Sequence, residues 1–143
     1  MYSLIWKLFV IHYSFFTKNG RNLAMTESVM FTKSKAFALR IVRLYKHLRE
    51  RKESVIAKQM LRSGTSIGAN IAESRYAQSK ADFASKLQIA LKEAAETEYW
   101  LELLSDSELV ELSPAFTSLC GDCTELIKLL TASIKTTKSS EQR

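Results

Sequence analysis

Hydrophobic residues recur along much of the chain at the spacing of an α-helix. In residues 34–48, Phe37, Ile41, Leu44 and Leu48 follow one another at intervals of four, three and four positions. Residues at these intervals share one helical face. The pattern therefore predicts an amphipathic helix of a helical bundle.

A longer and more regular pattern follows in the second half of the chain. Seven positions alternate strictly at intervals of four and three, namely Phe83, Leu87, Ala90, Ala94, Thr97, Leu101 and Leu104. This alternation is typical of a packed helical face. A second row on the same helix contains Ile89, Trp100 and Leu103, and it either makes a further core contact or forms a subunit interface.

A final helix is predicted from the sequence that starts it. Ser113 is a favourable N-cap residue, and Pro114 at the first helical position loses no hydrogen bond. One face of this helix carries Phe116, Leu119, Cys123, Leu126, Leu130 and Ile134. The polar residues 138–143 are predicted to form a disordered tail.

Residues 61–74, LRSGTSIGANIAES, contain many residues of low helix propensity. The sequence lacks the spacing of a phosphate-binding P-loop or of a dinucleotide-binding motif. If residues 54–73 are helical, however, the apolar and small residues fall within about half of the circumference. Gly64 and Gly68 then share a face, where a neighbouring backbone approaches more closely than the usual separation of about 8–10 Å.

The chain has one proline and four glycines among 143 residues, so few positions end helices or form hairpins. We therefore predict an all-α, antiparallel up-down four-helix bundle over residues 26–137. Residues 1–25 are predicted to be an N-terminal extension, separated from the bundle by a polar break at residues 17–22. Its apolar stretch, residues 4–16, is shorter than the roughly 20 residues of a membrane span, and no membrane partner is expected.

Charge differs in sign between the two parts of the chain. Through Arg62 there are thirteen Lys and Arg against three acids, a net +10, and the remainder has eight against twelve, a net −4. A basic surface of this kind binds nucleic acid, an acidic membrane or an acidic protein, but a solvated helix face remains an equal alternative.

A helical wheel of the first bundle helix places its basic residues opposite the apolar face, with Leu39 exposed among them. These predicted nucleic-acid-binding residues are Lys33, Arg40, Arg43, Lys46, His47 and Arg51.

Candidate chemical groups are few. Cys120 and Cys123 form a C-x-x-C sequence inside a predicted helix on its apolar side, which favours core thiols over a redox or metal site. The absence of a disulfide framework fits a reducing cytoplasm, and cytoplasmic localisation is expected. Zinc would need two further ligands, and neither His12 nor His47 is suitably placed. We expect no cofactor, no metal and no catalytic residue.

Glu93 and Glu96 lie three positions apart, as in a carboxylate pair for acid–base or di-metal chemistry. Bundle sites of that type use a Glu-x-x-His pair, which is missing here, so salt bridges with Lys92 or Arg62 are favoured. We expect a polar network between helices or across subunits, formed by Arg62, Asn70, Glu73, Glu93 and Glu96.

Several motifs together resemble one known family. They are the RSGTSIGANI sequence at 62–71, Asp82-Phe83 with Lys86, ALKEA at 90–94, and Glu96-Thr97 with Tyr99-Trp100. From residue 28 to 104, and more loosely to 134, the chain is similar to four-helix bundle proteins encoded within intervening sequences of bacterial 23S rRNA genes. Residues 1–24 and the C-x-x-C sequence have no counterpart in this pattern.

The resemblance implies an antiparallel bundle that assembles as a ring-like homopentamer. A related branch, the accessory protein of diversity-generating retroelements, is similar in fold and binds a reverse transcriptase and RNA through a basic surface. We expect structural or oligomer-forming roles for Arg62, Gly64, Gly68, Asn70, Glu73, Glu93, Glu96 and Trp100.

Two functions fit these observations. The first is a non-catalytic, oligomeric protein that binds RNA or DNA through the basic surface of its first bundle helix. The second is a protein-directed scaffold or adaptor, for example to a reverse transcriptase, without direct contact to nucleic acid. An enzyme is disfavoured because no nucleophile, base and orienting group can be assembled from these residues.

Overall fold

The computed structural model describes the backbone of residues 2–141 and the side chains of residues 25–140. Within this part the chain forms only helices, with no strand. The helices are α1 (Tyr2–Glu50), α2 (Val55–Ser74), α3 (Lys80–Asp106) and α4 (Pro114–Glu141). The all-α four-helix fold predicted from the sequence is confirmed.

The helices are arranged as a closed ring. α1 packs against α2 and α4, and α3 packs against the same two helices. Successive helices are joined by connections of only four, five and seven residues, and short connections between packed helices require an antiparallel arrangement. The chain therefore runs up, down, up and down around a shared core.

The helix starts follow from local hydrogen bonding. Ser113 Oγ accepts a hydrogen bond from the Phe116 backbone N–H at 3.2 Å, with Pro114 as the first helical residue. Ser79 Oγ likewise accepts from the Asp82 N–H at 3.1 Å at the start of α3. Each cap satisfies a backbone donor that has no partner within the helix. The predicted start of the last helix is thus confirmed.

The core is formed by the periodic positions of all four helices. Phe37, Ile41 and Leu48 of α1 are at most 1% exposed. The other large side chains that are almost completely buried are Met30, Met60, Ile67, Ile71, Leu87, Leu101, Leu104, Leu126 and Leu130. Leu44 and Phe83, which the periodicity also placed in the core, are only partly buried at its edge. The predicted apolar faces therefore do form the bundle interior.

α1 is continuous where a break was predicted. It runs through residues 17–22 without interruption. This stretch contains one glycine and no proline. A single internal glycine costs a helix only about 1 kcal/mol, which does not by itself end it. The predicted break is therefore wrong, while the boundary of the extension at residue 25 stays a prediction.

α4 also continues beyond the boundary predicted at residue 137, as far as Glu141. Ser140 Oγ donates to the Thr137 carbonyl at 2.7 Å, and Ser139 Oγ donates to the Lys135 carbonyl at 2.9 Å. Lys80 Nζ of α3 contacts Ser140 Oγ at 3.3 Å. Serine side-chain bonds of this kind accompany helical geometry without stabilising it. The structure describes residues 138–141 as part of α4. Residues 142–143 lie outside the described part.

The two glycines of α2 differ in how closely α1 approaches them. A Cβ atom at Gly64 would lie 2.9 Å from Ile41 Cγ2, a distance that requires something to move. At Gly68 the nearest atom, the Ser34 carbonyl oxygen, would be 3.6 Å away, an ordinary van der Waals contact. Because Ile41 is β-branched and fully buried, its side chain has little freedom to yield. The predicted close contact is therefore concentrated at Gly64.

Alanine substitution at the two glycines should have opposite effects on stability. We expect Gly64→Ala to lower the free energy of unfolding by about 1–3 kcal/mol, because it overpacks a rigid core contact. Gly68→Ala should leave it unchanged or raise it by up to about 1 kcal/mol, because alanine is the better helix former. Urea unfolding followed by circular dichroism measures both values. Equal losses in the two variants would contradict this account of the α1–α2 contact.

Candidate functional site

The C-terminal part of α1 and the start of α4 enclose an open groove of about 350 Å³, here called the α1–α4 groove. Its floor is apolar and includes Leu44, Phe116 and Leu119. One wall is basic and belongs to α1, and the opposite wall belongs to the connection before α4. The remaining lining residues are Arg40, Arg43, His47, Arg51, Val110, Glu111, Ser113 and Ala115. The groove thus combines positive charge with an apolar base.

The basic wall is a direct product of helical spacing. Arg43, His47 and Arg51 follow one another at intervals of four residues. Each interval advances about 6 Å along a helix and returns to nearly the same side. Leu48, between them in sequence, points into the core and is fully buried. Arg51 is the first residue after α1, and its backbone N–H still bonds to the Leu48 carbonyl at 3.1 Å. The three side chains therefore form a row along one edge of α1 and the turn that follows it.

Arg40 lies at the groove but is already engaged. Its guanidinium forms an ion pair with Asp122 of α4 and donates from Nη2 to the Ala115 carbonyl oxygen at 2.7 Å. It also contacts Ser118 Oγ at 3.3 Å. Arg40 therefore connects α1 to the first turns of α4, and its charge is compensated within the bundle.

Lys33 is compensated in the same way, since its Nζ lies 3.0 Å from Glu125 Oε2 of α4. The wheel placed both Lys33 and Arg40 on the outer face, and this is wrong. Positions four before and three after Phe37 return to within about 60° of it on a helix. The two side chains therefore start at the edge of the buried face and reach sideways to acids on α4. The six predicted residues do not form one continuous outward row.

The other four predicted residues are exposed. Arg43, His47 and Arg51 line the groove, and Lys46 projects from α1 outside it. Within the part of the chain whose side chains are described, none of the four has an ion-pair partner within 4.0 Å. Glu111 is the one acid among the groove's lining residues. The unpaired charge of the groove wall is therefore mainly positive.

A second polar cluster joins α2 to α3. Arg62 forms an ion pair with Glu96, and its Nη1 lies 3.6 Å from Glu93 Oε2. Trp100 Nε1 donates to Glu96 Oε1 at 3.1 Å. The hydrogen bond from Arg62 and then that from Trp100 lower the pKa of Glu96. The predicted network between the two helices is thus confirmed for Arg62, Glu93 and Glu96.

Asn70 and Glu73 lie outside this network, which corrects the prediction that included them. Asn70 Nδ2 donates to the Ser66 carbonyl of its own helix at 2.9 Å. Glu73 pairs with Lys86 at 2.5 Å. They lie about 12 and 16 Å further along α2 than Arg62, beyond the reach of its side chain.

Glu93 has an unusual environment for a carboxylate. Its Oε2 is buried and has no hydrogen-bond partner among the described residues, and Arg62 Nη1 lies 3.6 Å away. A buried carboxylate oxygen without a donor is costly. A further hydrogen-bond donor to Glu93 Oε2, at the face formed by α2 and α3, would therefore stabilise the protein.

The C-x-x-C thiols belong to the packed interior. Cys123 is fully buried, and its thiol contacts the Ala94 carbonyl oxygen at 3.4 Å. Burial raises the pKa of Cys123 to about 12 and also raises that of Cys120. Because the thiolate is the reactive form, neither thiol is activated at neutral pH. Their predicted placement in or near the core is confirmed.

The α4 side of the groove was missed by the sequence analysis. Val110, Glu111 and Phe116 are separated from the basic row by more than fifty residues. The only nearby sequence feature is the helix start at Ser113–Pro114. It predicts where α4 begins but not which helix α4 packs against. The groove exists only because the ring arrangement brings α4 beside α1.

The fold and the groove define a four-helix bundle protein with a basic cleft at one end. Among the described residues, no helix combines the length and apolarity of a membrane span. The sequence profile described as 23S rRNA-intervening sequence protein matches residues 26–132. The chain belongs to the 23S rRNA-intervening sequence protein family.

A solved structure supports the same assignment. The chain is 57% identical to a protein with unknown function of the S23 ribosomal protein family from Bacteroides thetaiotaomicron. The two structures superpose with a TM-score of 0.74, over 77% of this chain and 98% of the other. Among curated proteins, none shows significant similarity to the chain.

The Arg62 cluster predicts a pH-dependent contribution to stability. Because the pKa of Glu96 is lowered in the folded protein, its stabilising effect is present above the ordinary glutamate pKa of about 4.3. It is lost as the pH falls through the lower, folded value. Glu96→Gln should therefore reduce stability at neutral pH, by less than about 1 kcal/mol for this partly exposed pair. The difference from the wild type should disappear in acid.

Urea unfolding at neutral and acidic pH measures this difference. Glu102→Gln is the matched control, since it removes an exposed carboxylate from the same helix. A stability loss for Glu96→Gln that is the same at both pH values, or that Glu102→Gln reproduces, would argue against the ion pair as its cause.

Proposed function

We propose that the protein is a non-catalytic nucleic-acid-binding protein, and that RNA phosphates contact the unpaired basic residues of α1. The binding residues are Arg43, Lys46, His47 and Arg51, while Lys33 and Arg40 support the surface by holding α4 in place. The observation that carries this proposal is that Arg43 and Arg51, with His47 between them, line the α1–α4 groove without an ion-pair partner in the described part of the chain.

Some of the predicted basic residues are already paired with acids within the bundle, and others are not. Lys33 and Arg40 are compensated by acids on α4, so they add little to the outward potential. Arg43, His47 and Arg51 have no such partner in the described part of the chain. Cations that are free in the folded protein can displace counterions from a phosphate backbone, which gives salt-dependent affinity.

A purely structural reason for some of these charges also exists. His47 and Arg49 lie in the last turn of α1, where cations stabilise the negative end of the helix dipole by about 0.3–1 kcal/mol. That effect requires no ligand. It changes stability without changing RNA affinity, so the two roles are separable by experiment.

We further propose that the protein assembles into the homopentamer that the family resemblance implies. The face formed by α2 and α3 supports this, since it carries the exposed apolar side chains Ile89 and Tyr99. It also carries the Glu93 oxygen that has no hydrogen-bond donor among the described residues. With a net charge of +6 per chain, five copies would present several basic grooves to one RNA. Multivalent contact of this kind raises the overall affinity without new contacts.

Charge reversal tests the RNA proposal. Arg43→Glu combined with Arg51→Glu should lower the affinity for a fluorescent single-stranded RNA by about tenfold to a hundredfold, because two phosphate contacts become repulsive. The dependence of affinity on salt should weaken as well. Fluorescence anisotropy across a salt series measures both quantities.

The matched control is Lys58→Glu combined with Lys135→Glu, which changes the net charge equally at exposed sites on α2 and α4. If both double variants lose the same affinity, the binding reflects net charge alone. A wild-type protein that binds no RNA but retains a protein from nuclease-treated lysate would favour the scaffold function instead.

Disruption of the α2–α3 face tests the assembly. The wild type should have about five times the protomer mass of 16.3 kDa by light scattering. Ile89→Glu combined with Tyr99→Glu should give smaller species, because two charges would be buried in the interface. Leu39→Glu, at an exposed apolar residue of α1, should leave the pentamer intact. A monomeric wild type would refute the proposed assembly.

A further inference from the structure

We propose that the α1–α4 groove accepts an unpaired nucleotide, with its base inserted between the basic side chains, so that the protein prefers single-stranded RNA over duplex. This inference rests on the proposed function and names the class of nucleic acid that the same site takes. It depends on the type of cation in the groove, on the spacing of these cations, and on the floor beneath them.

The two unpaired cations that line the groove, and the histidine between them, are all planar groups. Arg43 and Arg51 carry guanidinium groups, and His47 carries an imidazole ring. The neighbouring ammonium of Lys46 lies outside the groove. An ammonium attracts a phosphate as a point charge, but only planar groups also stack on bases. The side chains that line the groove can therefore stack on bases as well as contact phosphates.

The spacing of the planar groups suits a base between them. The backbone positions of Arg43, His47 and Arg51 follow one another at a rise of about 6 Å per step along α1 and the turn after it. Stacked nucleotides rise about 3.4 Å each along a strand, so a base between two planes needs close to twice that distance. Arginine planes and aromatic rings stack on unpaired bases in this way in single-strand-binding proteins.

The floor and the opposite wall also fit a base better than a phosphate. Leu44 and Phe116 offer apolar surface below the basic row, and a base has apolar faces whereas a phosphate does not. Glu111 on the opposite wall repels phosphates, but its carboxylate can accept hydrogen bonds from the amino group of a base such as cytosine. An inserted base would leave its phosphates at the rim of the groove, on the solvent side where Lys46 projects.

A duplex cannot use this groove. The volume of about 350 Å³ lies at the lower end of the range for small-molecule sites. A duplex presents phosphates and keeps its bases stacked and paired. It would touch the rim and leave the floor uncovered. A carboxylate-rich peptide would pair with the guanidinium groups, but it would also place further acids beside Glu111.

Charge-conserving substitutions test this inference. Arg43→Lys combined with Arg51→Lys keeps both positive charges and removes both guanidinium planes. We expect the affinity for a fluorescent oligoadenylate to fall about tenfold, from the loss of base stacking. The salt dependence should remain that of the wild type, because the number of charges is unchanged. Lys58→Arg, which keeps a charge at an exposed site on α2, should leave the affinity unaltered.

A duplex RNA of the same length provides the second measurement. The wild type should bind it about tenfold more weakly than the oligoadenylate, and the double Arg→Lys variant should bind the duplex as the wild type does. Urea unfolding of each variant verifies that the fold is retained.

The outcomes separate this inference from the proposed function. Equal affinity for both RNAs, together with an oligoadenylate affinity unchanged by the Arg→Lys substitutions, overturns base insertion but leaves phosphate binding by α1 intact. The charge-reversal variant, Arg43→Glu with Arg51→Glu, tests the proposed function itself. If this variant binds RNA as tightly as the wild type does, the proposed function is overturned. A competition experiment compares polyglutamate with unlabelled oligoadenylate as displacers of the fluorescent oligoadenylate. If polyglutamate acts at the lower concentration, the groove selects acidic peptides and this inference is overturned.

Discussion

The contact between Ile41 of α1 and Gly64 of α2 constrains the rest of the bundle. Ile41 occupies the space where any other residue at position 64 would have its Cβ atom. On the next helix interface, Ser63 and Thr97 form a buried hydrogen bond of 2.9 Å between their hydroxyls. The missing side chain of Gly64 thus allows α2 to pack closely against α1. The hydrogen bond between Ser63 and Thr97 connects α2 to α3. Both contacts lie within one turn of α2, which fixes the helix between its two neighbours.

The α1–α4 interface depends more on polar contacts. Arg40 reaches Asp122, Ser118 and the Ala115 carbonyl, and Lys33 pairs with Glu125. Exposed ion pairs contribute at most about 1 kcal/mol each, but the multiple bonds of Arg40 fix the start of α4 relative to α1. The groove lies directly beside this contact. Its basic wall and its apolar floor therefore keep a defined separation, which a binding site requires.

The helices and their buried faces could be predicted from the sequence because spacing alone determines which residues share a face. The link between Arg62 and Glu96 could be anticipated for a similar reason, since both residues flank apolar positions on helices that are adjacent in sequence. The groove could not, because nothing local to Arg43 or Arg51 specifies that α4 is beside them. Arg40 was predicted on the outer face, but its position is at the edge of the buried face, from which a long side chain reaches a neighbouring helix. Polar composition alone, without a proline, does not end a helix, and for this reason the sequence of residues 17–22 does not reveal that α1 is continuous.

The antiparallel order of α1 and α4 sets the position of the chain ends. Met30 of α1 contacts Ser133 of α4 through its sulfur at 3.6 Å, at the end of the bundle remote from the α1–α4 groove. Residues 25 and 140, where the described side chains begin and end, therefore lie at that far end. A protein immobilised on a surface through residue 140 would present the groove to the solution, away from the point of attachment.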